Sequence, residues 1–153
     1  DGGSGHEAGR QLLGQLFEAH VGGEMPEISV AEGGKPYFIA GNWHFSISHT
    51  KKHAFCALSD APIGIDAEEA DRKIDLRLAD KILSPAEKAR FDAAENKHQA
   101  LLRLWVLKEA AAKLSGKGLR GYPNHTDFEL SDSRVQIIDG CYVAILQEDD
   151  HVI

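Results

Sequence analysis

Leu12, Leu13, Leu16 and Phe17 recur at three- and four-residue spacing, which predicts an amphipathic helix over about residues 9–21, ended by Gly22-Gly23. Gly33-Gly34-Lys35-Pro36 reads as a turn, followed by a short strand at 37–39. His44–His49 alternates polar and apolar side chains, the pattern of a half-buried strand. A turn at 50–53 then leads to an apolar strand at 54–58, and Asp60-Ala61-Pro62 to a further extended segment at 63–66. Ser84-Pro85-Ala86-Glu87 combines a capping serine, a proline suited to the first helical position and a capping-box glutamate. A longer helix is expected from Asn96 to Leu114 with Gly116 as its terminator, and short strands at 128–130, 135–138 and 142–146.

This order of elements predicts an α+β fold of two similar halves, each a helix packed on a small antiparallel sheet, divided near residue 75 into 9–75 and 76–153. Residues 1–8, beginning Asp1-Gly-Gly-Ser-Gly, read as a flexible linker, a cloning scar or a truncation point, leaving 9–153 as the folded domain. At 153 residues and 42% hydrophobic composition, the chain can build a core without a disulfide or metal staple. It has no run of 18 apolar residues, so no membrane span is expected. Cys56 and Cys141 sit in apolar stretches without Cys-x-x-Cys spacing and read as small buried hydrophobes in a reducing, cytoplasmic compartment.

A net charge of −7 argues against nucleic acid as a partner, because phosphate contacts dominate that affinity. Locally the balance reverses: Arg103, Lys108, Lys113, Lys117 and Arg120 face a single acid, Glu109. A basic island on an acidic chain suggests a specific anion.

Three segments carry candidate chemistry. On an extended Ile65-Asp66-Ala67-Glu68, residues i and i+2 share a face, so two carboxylates stand together. They repel unless a cation joins them, and oxygen-only ligation suits Mg²⁺ or Mn²⁺, although a solvated acidic strand end has the same composition. Glu109 and Lys113 are an i,i+4 pair: either a helix-stabilising salt bridge worth a few tenths of a kcal/mol, or a third metal carboxylate with a cation for a phosphate oxygen one turn away. His49 follows Ser48, but neighbours on a strand point to opposite faces, which argues against a Ser–His hydrolase relay.

Gly34-Lys-Pro36, Phe45-Ser-Ile-Ser-His-Thr50, Ile63-Gly-Ile-Asp-Ala-Glu68 and Trp105-Val-Leu-Lys-Glu-Ala-Ala-Ala-Lys113 occur in that order. Over about residues 9–130 this resembles the 4′-phosphopantetheinyl transferase superfamily, in particular the monomeric type that activates peptide and polyketide synthetases. The family's signature is Gly-(Ile/Val)-Asp and, after roughly forty residues, Trp-x-x-Lys-Glu-(Ala/Ser)-x-x-Lys, which this chain supplies.

The resemblance implies a holo-[acyl-carrier-protein] synthase type of reaction: Mg²⁺-dependent transfer of the phosphopantetheine arm of coenzyme A to a serine of an apo acyl, peptidyl or aryl carrier protein, with release of 3′,5′-ADP. It implies Asp66, Glu68 and Glu109 as metal ligands, Lys113 at the diphosphate, Ser48 and His49 at the 3′-phosphate, and Lys35 and Pro36 near the nucleotide. Glu109 and Lys113 are the catalytic candidates, with the serine proton going to Glu109, directly or through water, or to a metal-polarised water. Relatives carry further N-terminal bases; here Arg10 is the sole basic candidate at that edge. The alternatives are a coenzyme A-binding module without transfer activity and a metal-dependent phosphohydrolase.

Overall fold

The computed structural model describes residues 2–116 and 126–148, with side chains from residue 5 onward. Helix α1 (Gly2–His20) precedes four strands, β1 (Ile28–Val30), β2 (Pro36–Phe38), β3 (His44–His49) and β4 (Ala54–Ser59). Strand β5 (Ile63–Glu69) leads to a 3₁₀ turn at Leu76–Leu78 and helices α2 (Ala79–Ile82), α3 (Pro85–Ala93) and α4 (Lys97–Ser115). Strands β6 (Val135–Ile138) and β7 (Cys141–Gln147) complete the described chain. The expected α+β class holds: β1–β2 and β3–β4 are antiparallel pairs, and β5, β7 and β6 form a three-stranded antiparallel sheet in that order.

Strand β5 pairs with β7, so strand pairing changes partner between β4 and β5, near residues 60–62. Three details differ from the sequence reading. No strand forms at 128–130; Phe128 is instead a buried core side chain whose N–H donates to Glu87 Oε2 at 2.9 Å. Strand β1 was not foreseen. Helix α1 runs back to Gly2, through the segment read as a linker. Its glycines allow close packing: a Cβ at Gly9 would stand 2.4 Å from Ile47 Cγ2 and one at Gly5 2.5 Å from His49 Nδ1, so α1 approaches β3 where those atoms are missing.

One core gathers Leu13 and Phe17 from α1 with Phe38 and Phe45, the three rings stacked edge-on or tilted at centroid separations of 5.7 and 4.7 Å. A second surrounds α4, where Leu101, Leu102, Leu104, Val106 and Leu107 are wholly buried against Phe91, Phe128, Tyr142, Ala144 and Leu146. An almost completely covered helix is a central element rather than a surface one. Asn96 caps its start and Gly116, at φ 75°, ends it as expected.

The capping box at Ser84 forms in full. Glu87, fully buried, does more than cap: Oε1 also accepts from Lys108 Nζ at 2.8 Å. Such a buried pair is costly to break from one side, on the order of 3–5 kcal/mol.

The two sheets meet at β3 and β5 through side chains. Ser46 Oγ accepts the Ile65 N–H at 3.0 Å and Ser48 Oγ accepts the Ala67 N–H at 3.1 Å. The hydroxyls stand where a neighbouring strand's carbonyls would otherwise be, satisfying buried N–H groups at the free edge of β5.

Candidate functional site

Strand alternation on β5 sorts its residues into two faces. Ile63, Ile65 and Ala67 pack into an apolar seam with Ala57, Cys141 and Val143. Gly64, Asp66 and Glu68 turn the other way, toward α4. A Cβ at Gly64 would lie 2.1 Å from Ala110 O and 2.6 Å from Leu114 N, so this glycine is what lets α4 press its backbone onto the strand. That contact carries Glu109 and Lys113 to the side of Asp66.

The result is a cleft of about 510 Å³ whose lining includes Asp66, Glu68, Glu109, Lys113, Lys35 and Pro36. Arg10, Ser48 and His49 complete the set, so every candidate site residue read from the sequence borders one cavity. His6 borders it as well, its ring edge-on to His49 at 5.2 Å. It was missed because it lies within the segment read as a linker, although its position one turn before Arg10 puts both on one face of a helix.

Asp66 is the most deeply buried acid of the cleft, at 7% exposure. Its Oδ1 accepts from Lys113 Nζ at 3.2 Å and from Ser48 Oγ at 3.3 Å. Its Oδ2 is buried and has no hydrogen-bond partner among the described residues. Burial pushes the carboxyl up to about 7 against the pull of Lys113, with Glu109 and Glu68 adding to the rise. Glu109 is also raised, by burial first. Lys35 donates to Ile63 O at 3.0 Å and is lowered by burial and then by Lys113. Two lysines crowded together, beside carboxyls that resist ionising, suit an anion and a cation arriving together.

Lys113 does not form the intrahelical bridge to Glu109. It reaches across to Asp66 and to Ile47 O at 3.3 Å. Glu68 pairs with Arg72 at 2.6 Å, and that guanidinium lies over the Trp105 ring, 5.8 Å from its centroid. The three carboxylates therefore share the cleft without closing on a common point, as mutually repelling groups do without a cation between them. Ser48 and His49 do face opposite ways, Ser48 buried and His49 exposed. The Ser48 hydroxyl is engaged with Asp66 and the Ala67 N–H, so its place is beneath the acid rather than free for a phosphate.

Among the described residues, the basic island does not gather on one surface. Lys108 is buried on Glu87, and Arg103 donates to Leu130 O at 2.9 Å and stacks over Tyr142. Lys117 and Arg120 lie outside the described residues. Of the five bases, Lys113 is the one the described structure brings to the cleft. Among the described residues no helix is long and apolar enough to cross a membrane.

Comparison with known proteins points to one family. The profile of the 4′-phosphopantetheinyl transferase superfamily matches residues 62–147. The chain is similar to the 4′-phosphopantetheinyl transferase psf-1 of Bacillus pumilus, 34% identical over 123 residues, covering 74% of this chain and 52% of that protein. A 4′-phosphopantetheinyl transferase of Bacillus subtilis is 34% identical over 155 aligned positions, covering 95% of this chain and 66% of its own length. The 4′-phosphopantetheinyl transferase Sfp of Bacillus subtilis strain 168 is 29% identical over 159 positions, with 94% and 70% covered. The chain thus spans about half to two-thirds of the length of the first two relatives. With the profile extending from β5 through α4 to β7, the chain belongs to the 4′-phosphopantetheinyl transferase superfamily.

Proposed function

We propose that the protein transfers the 4′-phosphopantetheine arm of coenzyme A to a serine of an apo acyl, peptidyl or aryl carrier protein, releasing 3′,5′-ADP, as a cytoplasmic, Mg²⁺-dependent monomer. The observation that carries the reading is Asp66: a buried carboxylate with one oxygen held by Lys113 and Ser48 and the other without a partner among the described residues. An orphaned buried oxygen flanked by two more carboxylates fits a hard, oxygen-seeking cation.

Asp66, Glu68 and Glu109 would hold Mg²⁺ or Mn²⁺, which when bound supplies positive charge to a diphosphate. Lys113 and Lys35 add charge from two sides, the chief need of phosphoryl transfer. His49, with His6 and Arg10 on the facing helix, would read the 3′-phosphate; the support is that all three border the same cleft. In the reaction the serine oxygen forms a new bond to phosphorus, the bond to the leaving 3′,5′-ADP breaks, and the serine proton departs. Glu109 would take that proton, directly or through a water, or a metal-polarised water would carry it, since a carboxylate on Mg²⁺ is a weak base.

Incubation with coenzyme A, with and without apo carrier, tests the reading. A transferase yields 3′,5′-ADP only with carrier present. A binding module yields none, and a phosphohydrolase yields product without carrier.

A further inference from the structure

Behind β5, on the face turned away from the cleft, three different metal-ligating side chains meet. Glu69 ends β5, Cys141 begins β7 directly opposite it, and His53 comes from the turn between β3 and β4. Cys141 Sγ lies 3.3 Å from Glu69 Oε2 and 3.7 Å from His53 Nδ1, and His53 Nδ1 lies 3.4 Å from Glu69 Oε2. Among the described residues this is the set of three such ligand atoms gathered within 4.8 Å of one another.

Those separations have a chemical meaning. Zinc–oxygen, zinc–nitrogen and zinc–sulfur distances of about 2.0, 2.0–2.1 and 2.3 Å set the edges of a tetrahedron at about 3.3–3.6 Å. The three atoms already form one triangular face of that size.

The surroundings hold the face in place. Thr50 Oγ1 donates to Glu69 Oε2 and accepts the His53 N–H at 3.1 Å, so one hydroxyl orients both the carboxylate and the turn. Asp139, at φ 51°, and Gly140 make the tight turn that delivers Cys141. The sulfur is wholly buried, whereas the His53 side chain is one-third exposed and borders a surface pocket with Lys52, Asp139 and Gln11. That pocket gives an ion a route in beside His53.

We propose that His53, Glu69 and Cys141 form a binding site for a borderline-soft divalent cation of the Zn²⁺ class, distinct from the carboxylate cleft. The mixed sulfur, nitrogen and oxygen donor set excludes Mg²⁺, which prefers oxygen. Binding releases the thiol proton to solvent and leaves a thiolate on the metal. Because the ligands come from the β3–β4 turn, β5 and β7, the ion ties the β3–β4 hairpin to the three-stranded sheet, one residue from Glu68.

The test is a Co²⁺ titration of the purified metal-free protein, followed by absorbance in the near ultraviolet. The expected result is one thiolate-to-cobalt charge-transfer band that saturates at one equivalent and is reversed by Zn²⁺. Cys141→Ser should abolish the band, and His53→Ala, on an exposed turn where folding is not at risk, should weaken binding by about tenfold or more. Cys56→Ser and Glu109→Gln should leave the band intact. Absence of the band in the wild type up to millimolar Co²⁺, or its persistence in both Cys141→Ser and His53→Ala, overturns the proposal.

Discussion

Lys113 Nζ stands 3.2 Å from Asp66 Oδ1, linking the last turns of α4 to the middle of β5 and leaving Asp66 Oδ2 without a partner among the described residues. The pair is a bridge between elements 47 residues apart rather than the i,i+4 bridge that the helix spacing offers. If Lys113 serves mainly to neutralise a diphosphate, Lys113→Ala should cut transfer on the order of a hundredfold or more. Its cost in stability should stay near 1 kcal/mol, because Asp66 can take up a proton when its partner is removed. Lys113→Arg should rescue only in part, since a planar fork does not sit where a compact ammonium did. Transfer kinetics beside denaturant midpoints would check this; equal losses in both would assign Lys113 a structural role.

Asp66 also makes a pH prediction. Its carboxyl moves from an ordinary 3.8 to about 7 on folding, so between those values the native state binds a proton that the unfolded chain does not. The contribution to stability is fully present below about pH 4 and is lost as pH rises through about 7, an effect on the order of a few kcal/mol. The difference in stability between wild type and Asp66→Asn, measured without divalent ions, should fall steadily over that window. Added Mg²⁺ should stabilise the wild type more at pH 8 than at pH 5.5, because metal and proton compete for one carboxylate. A wild-type advantage that grows with pH in metal-free buffer would contradict the assignment.

Gly64 positions the helix that carries half of the site. Gly64→Ala must push α4 away from β5, costing about 1–3 kcal/mol, and should weaken Mg²⁺ binding because Glu109 moves with the helix. Gly14→Ala is the internal control: the position is helical with nothing within 4 Å of the added Cβ, so stability should rise by about 0.5–1 kcal/mol. Calorimetric Mg²⁺ titrations of both variants would separate a displaced site from general destabilisation.

The alternation of His44–His49, the Ser84 capping box and the long helix were legible because each is local: a period, a cap and a terminator written within twenty residues. The pairing of Asp66 with Glu68 on one face was legible for the same reason. What escaped depends on contacts distant in sequence. Nothing near Ser46 and Ser48 signals that their hydroxyls will close the edge of β5, nineteen residues away. The glycine at 5 looks like linker chemistry until His49 is seen against it. Lys108 looked like part of an anion-binding island because its partner, Glu87, lies on another helix. Cys141 looked like a plain hydrophobe because its polar neighbours come from two other strands' ends.

His49 separates coenzyme A from its dephospho form if it reads the 3′-phosphate. His49→Ala should shrink the wild-type preference for coenzyme A over dephospho-coenzyme A by about 1.5–3 kcal/mol, the worth of one charged hydrogen bond. The affinity for the dephospho form should barely change. Competition binding of the two ligands to wild type and variant checks this; an unchanged preference would move the 3′-phosphate to His6 and Arg10.

The central claim is that this cleft transfers phosphopantetheine, and the mass of an apo carrier protein after incubation with coenzyme A and Mg²⁺ tests it most directly. The account predicts that the carrier gains one phosphopantetheine at its serine with the wild type, and none in EDTA or with Asp66→Ala or Glu109→Ala. An unmodified carrier with folded wild-type protein, or full modification by either variant or in EDTA, would contradict it.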